Sequence, residues 1–409
     1  MASWQVELDR IIDVNFDRTV EMRRHIHQHP EVSGSEFETS MLLYQDLGDK
    51  GFQVRLGPEG RGVIADLDPP GSVSSIGLFA IRADIDALRI HDEKTVPYRS
   101  KCDGIMHACG HDGHTSLVNG AITAISELHQ SGALSFRPRL RGVFQPAEET
   151  CEGANQMIEF GALEGVDAII ATHLDPNRRV GQIGVRPGVL TANCDLIKVV
   201  IEGRGGHAAR PHEARDPIAA AAQFIQTLYM HIPRQTDSQD AVVVTIGKVQ
   251  GGHTANVIPE SMELHGTLRT LDAKIRDRTI KHIRRLAEGV AAVSRTKIMV
   301  EFGLAASAVE NDSSLTELIR QSATSAMGPD GIEEIPRPSM GSEDFAFYGK
   351  HVPAAMFRLG CVSDQVGGTG LHTPTFDFDE EALRYGMKVM ARSAISWMEK
   401  RSQSTGQIA

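Results

Sequence analysis

Apolar residues recur at helical spacing over 4–29, at Val6, Leu8, Ile11, Ile12, Phe16 and Val20, and Pro30 stops the pattern. That spacing buries one face of an α-helix. A second amphipathic helix is predicted over 36–50, closed by Gly51. Short apolar runs follow at 62–67, 76–83, 139–145 and 167–173, with a helix predicted over 114–130, after a turn at Gly113. Strand-length apolar runs alternating with helices predict an α/β fold: a mixed, largely buried sheet flanked by helices.

The pattern changes near residue 188. Strands are predicted over 194–202, 241–249, 261–270 and 296–303, and helices over 217–231 and 272–293. Asp216-Pro217 supplies a helix N-cap and a first-turn proline. The order strand, helix, strand, strand, helix, strand is that of a ferredoxin-like α+β unit. After it come a helix over 313–327, a strand over 353–359 and a helix over 379–400. The expected organisation is one domain formed by 1–188 and 306–409, with a ferredoxin-like domain over 189–305 inserted in it.

Composition narrows the function classes. The chain has 409 residues, 41% hydrophobic and 23% charged, with a net charge of −11. An acidic surface argues against nucleic acid and anionic membranes as partners. No apolar run is long enough to span a bilayer. Five irregularly spaced cysteines do not suggest a disulfide framework, and no secretory pattern is visible, so a cytoplasmic location is expected. Seventeen histidines direct attention to metal chemistry.

The densest cluster is MHACGHDGH, 106–114, which packs His107, Cys109, His111, Asp112 and His114 together. Thiolate and imidazole are strong ligands for transition metals. In an extended segment Cys109 and His111 would share a face. The plainer alternative is a polar helix start with satisfied histidines. QPAEE, 145–149, closes an apolar run with two adjacent carboxylates. One could bind a metal while its neighbour handles a proton, although such a pair is more often solvated. His173 ends the run DAIIATH, and His372 lies in the turn-rich GLHTPTFDFDE. Each alone is ambiguous between a core residue and a ligand.

A longer pattern joins these segments. HIHQHPEVSGSE, RADIDAL, MHACGHDGH, QPAEE, ATH, GRGGHAARPH, NVIPE, HGTLRT, GSEDFAFY and LHTPTFDFDEEAL occur in one order across nearly the whole chain. Together they resemble the hippurate hydrolase and auxin-conjugate hydrolase branch of the di-metal aminoacylase/carboxypeptidase family.

The resemblance implies two divalent metal ions per subunit, zinc or manganese, with cobalt or nickel also compatible. The implied ligands are Cys109, His111, Glu149, His173 and His372. It implies a metal-activated water with Glu148 as general base, and His207 of GGHAA stabilising charge on the scissile carbonyl. Asn256 and Arg269 match substrate-binding positions, Arg269 as a grip on the substrate carboxylate. Asp86 matches a residue that orients a ligand, and Asp84 is left open. The inserted domain would act as a lid and in dimerisation, giving a homodimer or a higher homo-oligomer.

Two positions depart from the pattern. Asp175 follows His173 where relatives run apolar, and His253 replaces a small residue at the expected pocket wall. Cys102, Cys151, Cys194 and Cys361 read as structural thiols. The expected activity is hydrolysis of N-acyl amino acids, hippurate-like or acetylated, to a carboxylic acid and a free amino acid. A dipeptidase or carboxypeptidase is the alternative within the same chemistry. A metal-binding protein without catalysis is the alternative outside it.

Overall fold

The computed structural model describes residues 4–67 and 76–406. The chain divides into two compact units. One takes the chain up to Leu190, Glu310–Arg337 and everything from Asp344; the other takes Thr191–Val309 and Pro338–Glu343. The stretch 338–343, which the sequence reading leaves in the first domain, thus joins the second unit. It is held there because Ala192 N–H donates to Gly341 O at 2.9 Å and Arg269 Nη1 to Met340 O at 3.1 Å.

The first unit opens with α1 (Trp4–Gln28), α2 (Phe37–Asp49), β1 (Gln53–Leu56) and β2 (Val63–Asp66). It continues through β3 (Leu78–Asp84), α3 (His111–Gln130), β4 (Leu140–Gln145), α4 (Gly153–Glu159), β5 (Val166–Arg179), β6 (Ile183–Val185) and β7 (Gly188–Val189). The second unit supplies β8 (Asn193–Glu202), β9 (Gly206–His207), α5 (Pro217–Gln235), β10 (Val242–Gln250) and β11 (Val257–Ile258). It ends with β12 (Ser261–Thr270), α6 (Ala273–Ser294) and β13 (Lys297–Ala306). The chain returns to the first unit with β14 (Glu310–Asn311), α7 (Ser313–Met327), β15 (Ile332–Glu334), β16 (Ala354–Val362) and α8 (Glu381–Gly406).

The main sheet has the order β1-β2-β4-β3-β5-β16-β6-β15. Its four central strands, β4, β3, β5 and β16, are parallel. They read as continuous apolar runs because both faces are covered. Phe79, Ile81, Ile170 and Phe357 of the sheet pack in one core with Leu117 and Ile122 of α3 and Met390 and Ile395 of α8. In such sheets ligands bind beyond the carboxyl ends of the parallel strands. Polar residues stand in a row at that level here. Asp84 pairs with Gln145, and His173 with Arg358.

Strand β5 does not stop at His173. Leu174 to Arg179 stay extended because β16 continues to pair with them, to Val362 opposite Arg179. Gly360 permits this close approach, since a Cβ there would lie 2.0 Å from Arg179 O.

In the second unit the sheet order is β10-β12-β8-β13, antiparallel throughout. Ile197, Val199, Leu264 and Leu268 on one face pack against Phe224 and Leu228 of α5 and Ile283 and Ala287 of α6. This is the ferredoxin-like α+β arrangement. Asp216 caps α5, accepting from Ile218 N–H and Ala219 N–H with Pro217 in the first turn, and Asp272 caps α6 through Ile275 N–H.

Candidate active site

Helix α3 begins three residues earlier than predicted, at His111, not after Gly113. Gly110 makes the start. Its φ of +86 turns the chain sharply, and a Cβ there would lie 2.7 Å from Leu174 Cδ1. Cys109 and His111 are therefore brought together by a left-handed turn at a helix start, not by an extended segment. Asp112 falls in the first turn, where a carboxylate complements the helix dipole.

The donors converge at the carboxyl ends of the parallel strands. Cys109 Sγ lies 3.4 Å from His173 Nε2 and 3.3 Å from His372 Nε2. His372 Nε2 is also 3.3 Å from Glu149 Oε1. His111 Nε2 is 3.9 Å from Glu148 Oε2 and 3.9 Å from Glu149 Oε1. Donor atoms within 4.8 Å of one another form the triads Cys109–His111–His173, Cys109–Glu149–His372 and His111–Glu148–Glu149. Cys109 belongs to two of them.

Each ring is held so that one nitrogen faces the cluster. His111 Nδ1 lies 3.0 Å from Asp86 O and 3.1 Å from Asp86 Oδ1. His173 Nδ1 lies 2.7 Å from Leu174 O. These acceptors assign the proton to Nδ1 in both rings and leave Nε2 as the lone-pair donor. Asp86 Oδ2 accepts from Ser33 Oγ at 2.6 Å and from Glu149 N–H at 3.0 Å, so one carboxylate orients both His111 and the backbone of Glu149. His372 adopts a left-handed φ of 60, and its N–H donates to Ala108 O at 2.8 Å.

A group of divalent ions fits this cluster. His111 Nε2 is buried and makes no hydrogen bond among the described residues. A buried polar atom without a partner needs a reason, and a Lewis acid supplies one. The mixture of thiolate, imidazole and carboxylate is the donor set of zinc, manganese, cobalt or nickel. Electrostatics agree. Cys109 and Glu149 push His372 up to about 10. Burial works against a proton on His111, but Asp84, Cys109 and Asp86 outweigh it and hold its pKa well up. Burial, His114 and Arg358 hold His173 well down, in its neutral form. The cluster thus seeks positive charge, for which a proton and a metal compete.

Asp84, His111 and His114 also lie close together. Asp84 and His114 satisfy each other directly: His114 Nδ1 is 2.7 Å from Asp84 Oδ1, and Leu174 N–H donates to His114 Nε2 at 2.9 Å. Asp84 is therefore a support beneath the cluster. Arg82 Nη1 donates to Asp84 Oδ2 at 2.6 Å, Nη2 to Asp344 Oδ1 at 2.9 Å and Nε to Gln145 Oε1 at 2.9 Å. This buried network ties β3, β4 and the segment after residue 343 below the donors. The sequence reading placed His114 in the crowded 106–114 string without giving it this role, and assigned no role to Arg82, Gln145 or Asp344. Their signal was a charged residue inside the apolar run LFAIRAD.

A second support is Arg23 of α1, buried at 1% exposure. It donates to Asp112 at 2.8 Å, Asp377 at 2.8 Å and Glu380 at 3.1 Å, and stacks on Tyr98 and Phe378. It joins the helix start bearing His111 to the loop bearing His372.

The residues assigned to the inserted domain lie in the second unit. Pairing of β9 with β11 sets His207 opposite Val257, and Ala208 N–H donates to Asn256 O at 3.1 Å, so His207 and Asn256 are neighbours. His253 lines the same groove as Gly206 and Val257. Arg269 stands apart from them on β12, donating to Met340 O at 3.1 Å and Ser342 Oγ at 3.2 Å. All five cysteines are free thiols. No helix among the described residues is long and apolar enough to cross a membrane.

A buried thiol, three imidazoles and paired carboxylates at the ends of a parallel sheet define a metal-dependent amidohydrolase. The chain belongs to peptidase family M20/M25/M40, whose model matches residues 80–396. It is 38% identical over 384 residues to an N-acetyl-L-cysteine deacetylase of Bacillus subtilis, covering 94% of this chain and 89% of the relative. It is 34% identical to IAA-amino acid hydrolase ILR1-like 2 of Arabidopsis thaliana, covering 95% and 87%. Among solved structures, a dinuclear metal-binding M20 peptidase of Bacillus subtilis superposes with a TM-score of 0.79 at 35% identity, covering 95% of this chain and 99% of that one.

Proposed function

We propose that this chain hydrolyses the amide bond of N-acyl amino acids, hippurate-like, acetylated or related conjugates, giving a carboxylic acid and a free amino acid. The observation that carries the reading is the pair of donor triads sharing Cys109, with Glu148 beside them. On this reading Cys109, His111, Glu149, His173 and His372 hold two divalent ions, zinc or manganese among others. Such ions, when bound, would acidify a water and polarise the acyl carbonyl. Glu148 takes a proton from the attacking water and delivers it to the departing amine nitrogen. His207 stabilises the negative charge that develops on the carbonyl oxygen. Asn256 binds substrate beside it, and Arg269 faces the substrate's α-carboxylate. Asp86 keeps His111 and Glu149 in place. The deacetylase and the auxin-conjugate hydrolase among the relatives support a small N-acyl amino acid as substrate.

The test is a panel of hippurate, acetylated amino acids and dipeptides on chelated protein reloaded with Mn²⁺ or Zn²⁺. N-acyl amino acids are expected to be cleaved fastest; faster dipeptide cleavage would favour the dipeptidase alternative. Glu148→Gln is expected to keep its metal content and lose about 10²–10⁴ in kcat. Unchanged turnover in that variant would remove Glu148 from the mechanism.

We also infer a homodimer formed through the second unit, in a reducing cytoplasm that suits the free thiols. Among the described residues strand β10 has a partner on one side only, β12, and its Val243 and Val249 are exposed together with Tyr229 and Met230 of α5. Exposed apolar edges call for cover. A monomeric mass by light scattering at micromolar concentration would overturn this.

A further inference from the structure

Arg358, a cation beside the donor cluster, has no part in the reaction proposed above. Arg358 of β16 is the register partner of His173 on β5. Paired residues in a sheet point to the same face about 5 Å apart, so the Arg358 side chain stands next to the imidazole of a donor triad. On its other side Arg358 pairs with Gly184 of β6. A Cβ at Gly184 would lie 2.4 Å from Arg178 Nε, so the missing side chain lets Arg178 lie across the strand beside Arg358.

The acidic groups nearby are committed elsewhere. Arg178 Nη1 lies 3.3 Å from Asp175 Oδ2 and 3.6 Å from Glu333 Oε2. Asp175 Oδ1 accepts from Asn177 N–H at 2.9 Å and Asn177 Nδ2 at 3.1 Å. Asp84, level with His173 on the next strand, is taken by Arg82 and His114. Arg358 is half-buried, and among the described residues it has no ion-pair partner and no side-chain hydrogen bond. A guanidinium drawn partly out of water without a counter-charge is unfavourable. Its flat fork of donors suits a carboxylate.

The proposed reaction already sets one arginine, Arg269, against the α-carboxylate. A second uncommitted guanidinium at the metal end calls for a second anion. Resting on that reading, we infer that Arg358 binds a second carboxylate of the substrate, so that dianionic N-acyl amino acids are preferred. The extra carboxylate belongs either to the amino-acid side chain or to the acyl chain.

Two substrate pairs separate these sources: N-acetylglutamate against N-acetylglutamine, and N-succinylglycine against N-succinamoylglycine. Members of each pair differ in the second charge alone. Metal-loaded wild type is expected to prefer the dianion at least tenfold in kcat/KM in one pair, mainly through KM. Arg358→Met should abolish most of that preference, and Arg358→Lys, with charge but no fork, should keep part of it. No preference in either pair, or a preference intact in Arg358→Met, overturns the inference. If the wild type cleaves none of the four compounds, the hydrolase reading stands or falls on hippurate and the other compounds of the panel above. Calorimetric titration of the same compounds into the metal-loaded proteins then decides the role of Arg358. A dianion preference lost in Arg358→Met supports it, and no preference in the wild type overturns it.

Discussion

Asp86 serves two neighbours with two oxygens: Oδ1 faces His111 Nδ1 at 3.1 Å, and Oδ2 accepts from Glu149 N–H at 3.0 Å. Burial alone would raise its pKa, but His111, Ser33 and Glu149 N–H outweigh burial and hold it ionised. Asp86→Asn keeps the shape and removes the charge that fixes the imidazole. Metal affinity is expected to fall by about 10- to 100-fold, measured by competition with a chelator, while the circular dichroism spectrum stays unchanged. That Cys109 and His111 belong to one candidate cluster was legible in the sequence, because they sit in one crowded string. The supports were not. Arg82 finds its partner Asp344 262 residues further on, and no local pattern announces such a pairing.

At the scale of elements, apolar periodicity located the long helices and the central strands, where burial imposes a pattern, but not α4 or the short strands β1, β6, β7, β9, β11, β14 and β15, which are too brief to show one. Ends were less legible. The early start of α3 depends on Gly110 adopting a left-handed turn against Leu174, a tertiary contact. The longer β5 depends on pairing with β16. The Arg23 clasp also lies outside periodicity, since its ion pairs span 89 to 357 residues. Arg23→Met would leave Asp112 buried without its cation. Removing one partner of a buried pair costs about 3–5 kcal/mol, and the variant is expected to show a loss of that size in urea unfolding. An unchanged midpoint would show that the clasp contributes nothing to stability.

For the whole molecule, buried ionisable groups set the response to acid. Burial would raise Asp92, but His27, Ser100 N–H and Lys94 outweigh it and hold the carboxyl below its usual range. Asp112 is depressed in the same way, burial being outweighed by Arg23 and His27. A carboxylate depressed in the folded state stabilises it above the unfolded pKa of about 3.9, and that stabilisation is lost as pH falls further. His107 acts earlier: burial pushes it down to about 3. Below a pH of about 6.5 only the unfolded chain takes up that proton, so stability also falls there. Urea midpoints of metal-free protein are expected to drop from pH 7 to 5.5 and drop again below 4. A midpoint flat across that range would contradict these assignments. The large-scale plan was legible in the order of strands and helices, whereas the transfer of 338–343 to the second unit was not, because it rests on hydrogen bonds from Ala192 and Arg269.

Cys109 and His372 are separated by 263 positions, and the whole second unit is encoded between them. During synthesis on the ribosome, the last donor therefore emerges only after the inserted unit has been made. On the proposed reading, a nascent or truncated chain ending before residue 372 would lack that donor and could not complete its centre, so catalytic competence would arrive late, as a property of the nearly finished polypeptide.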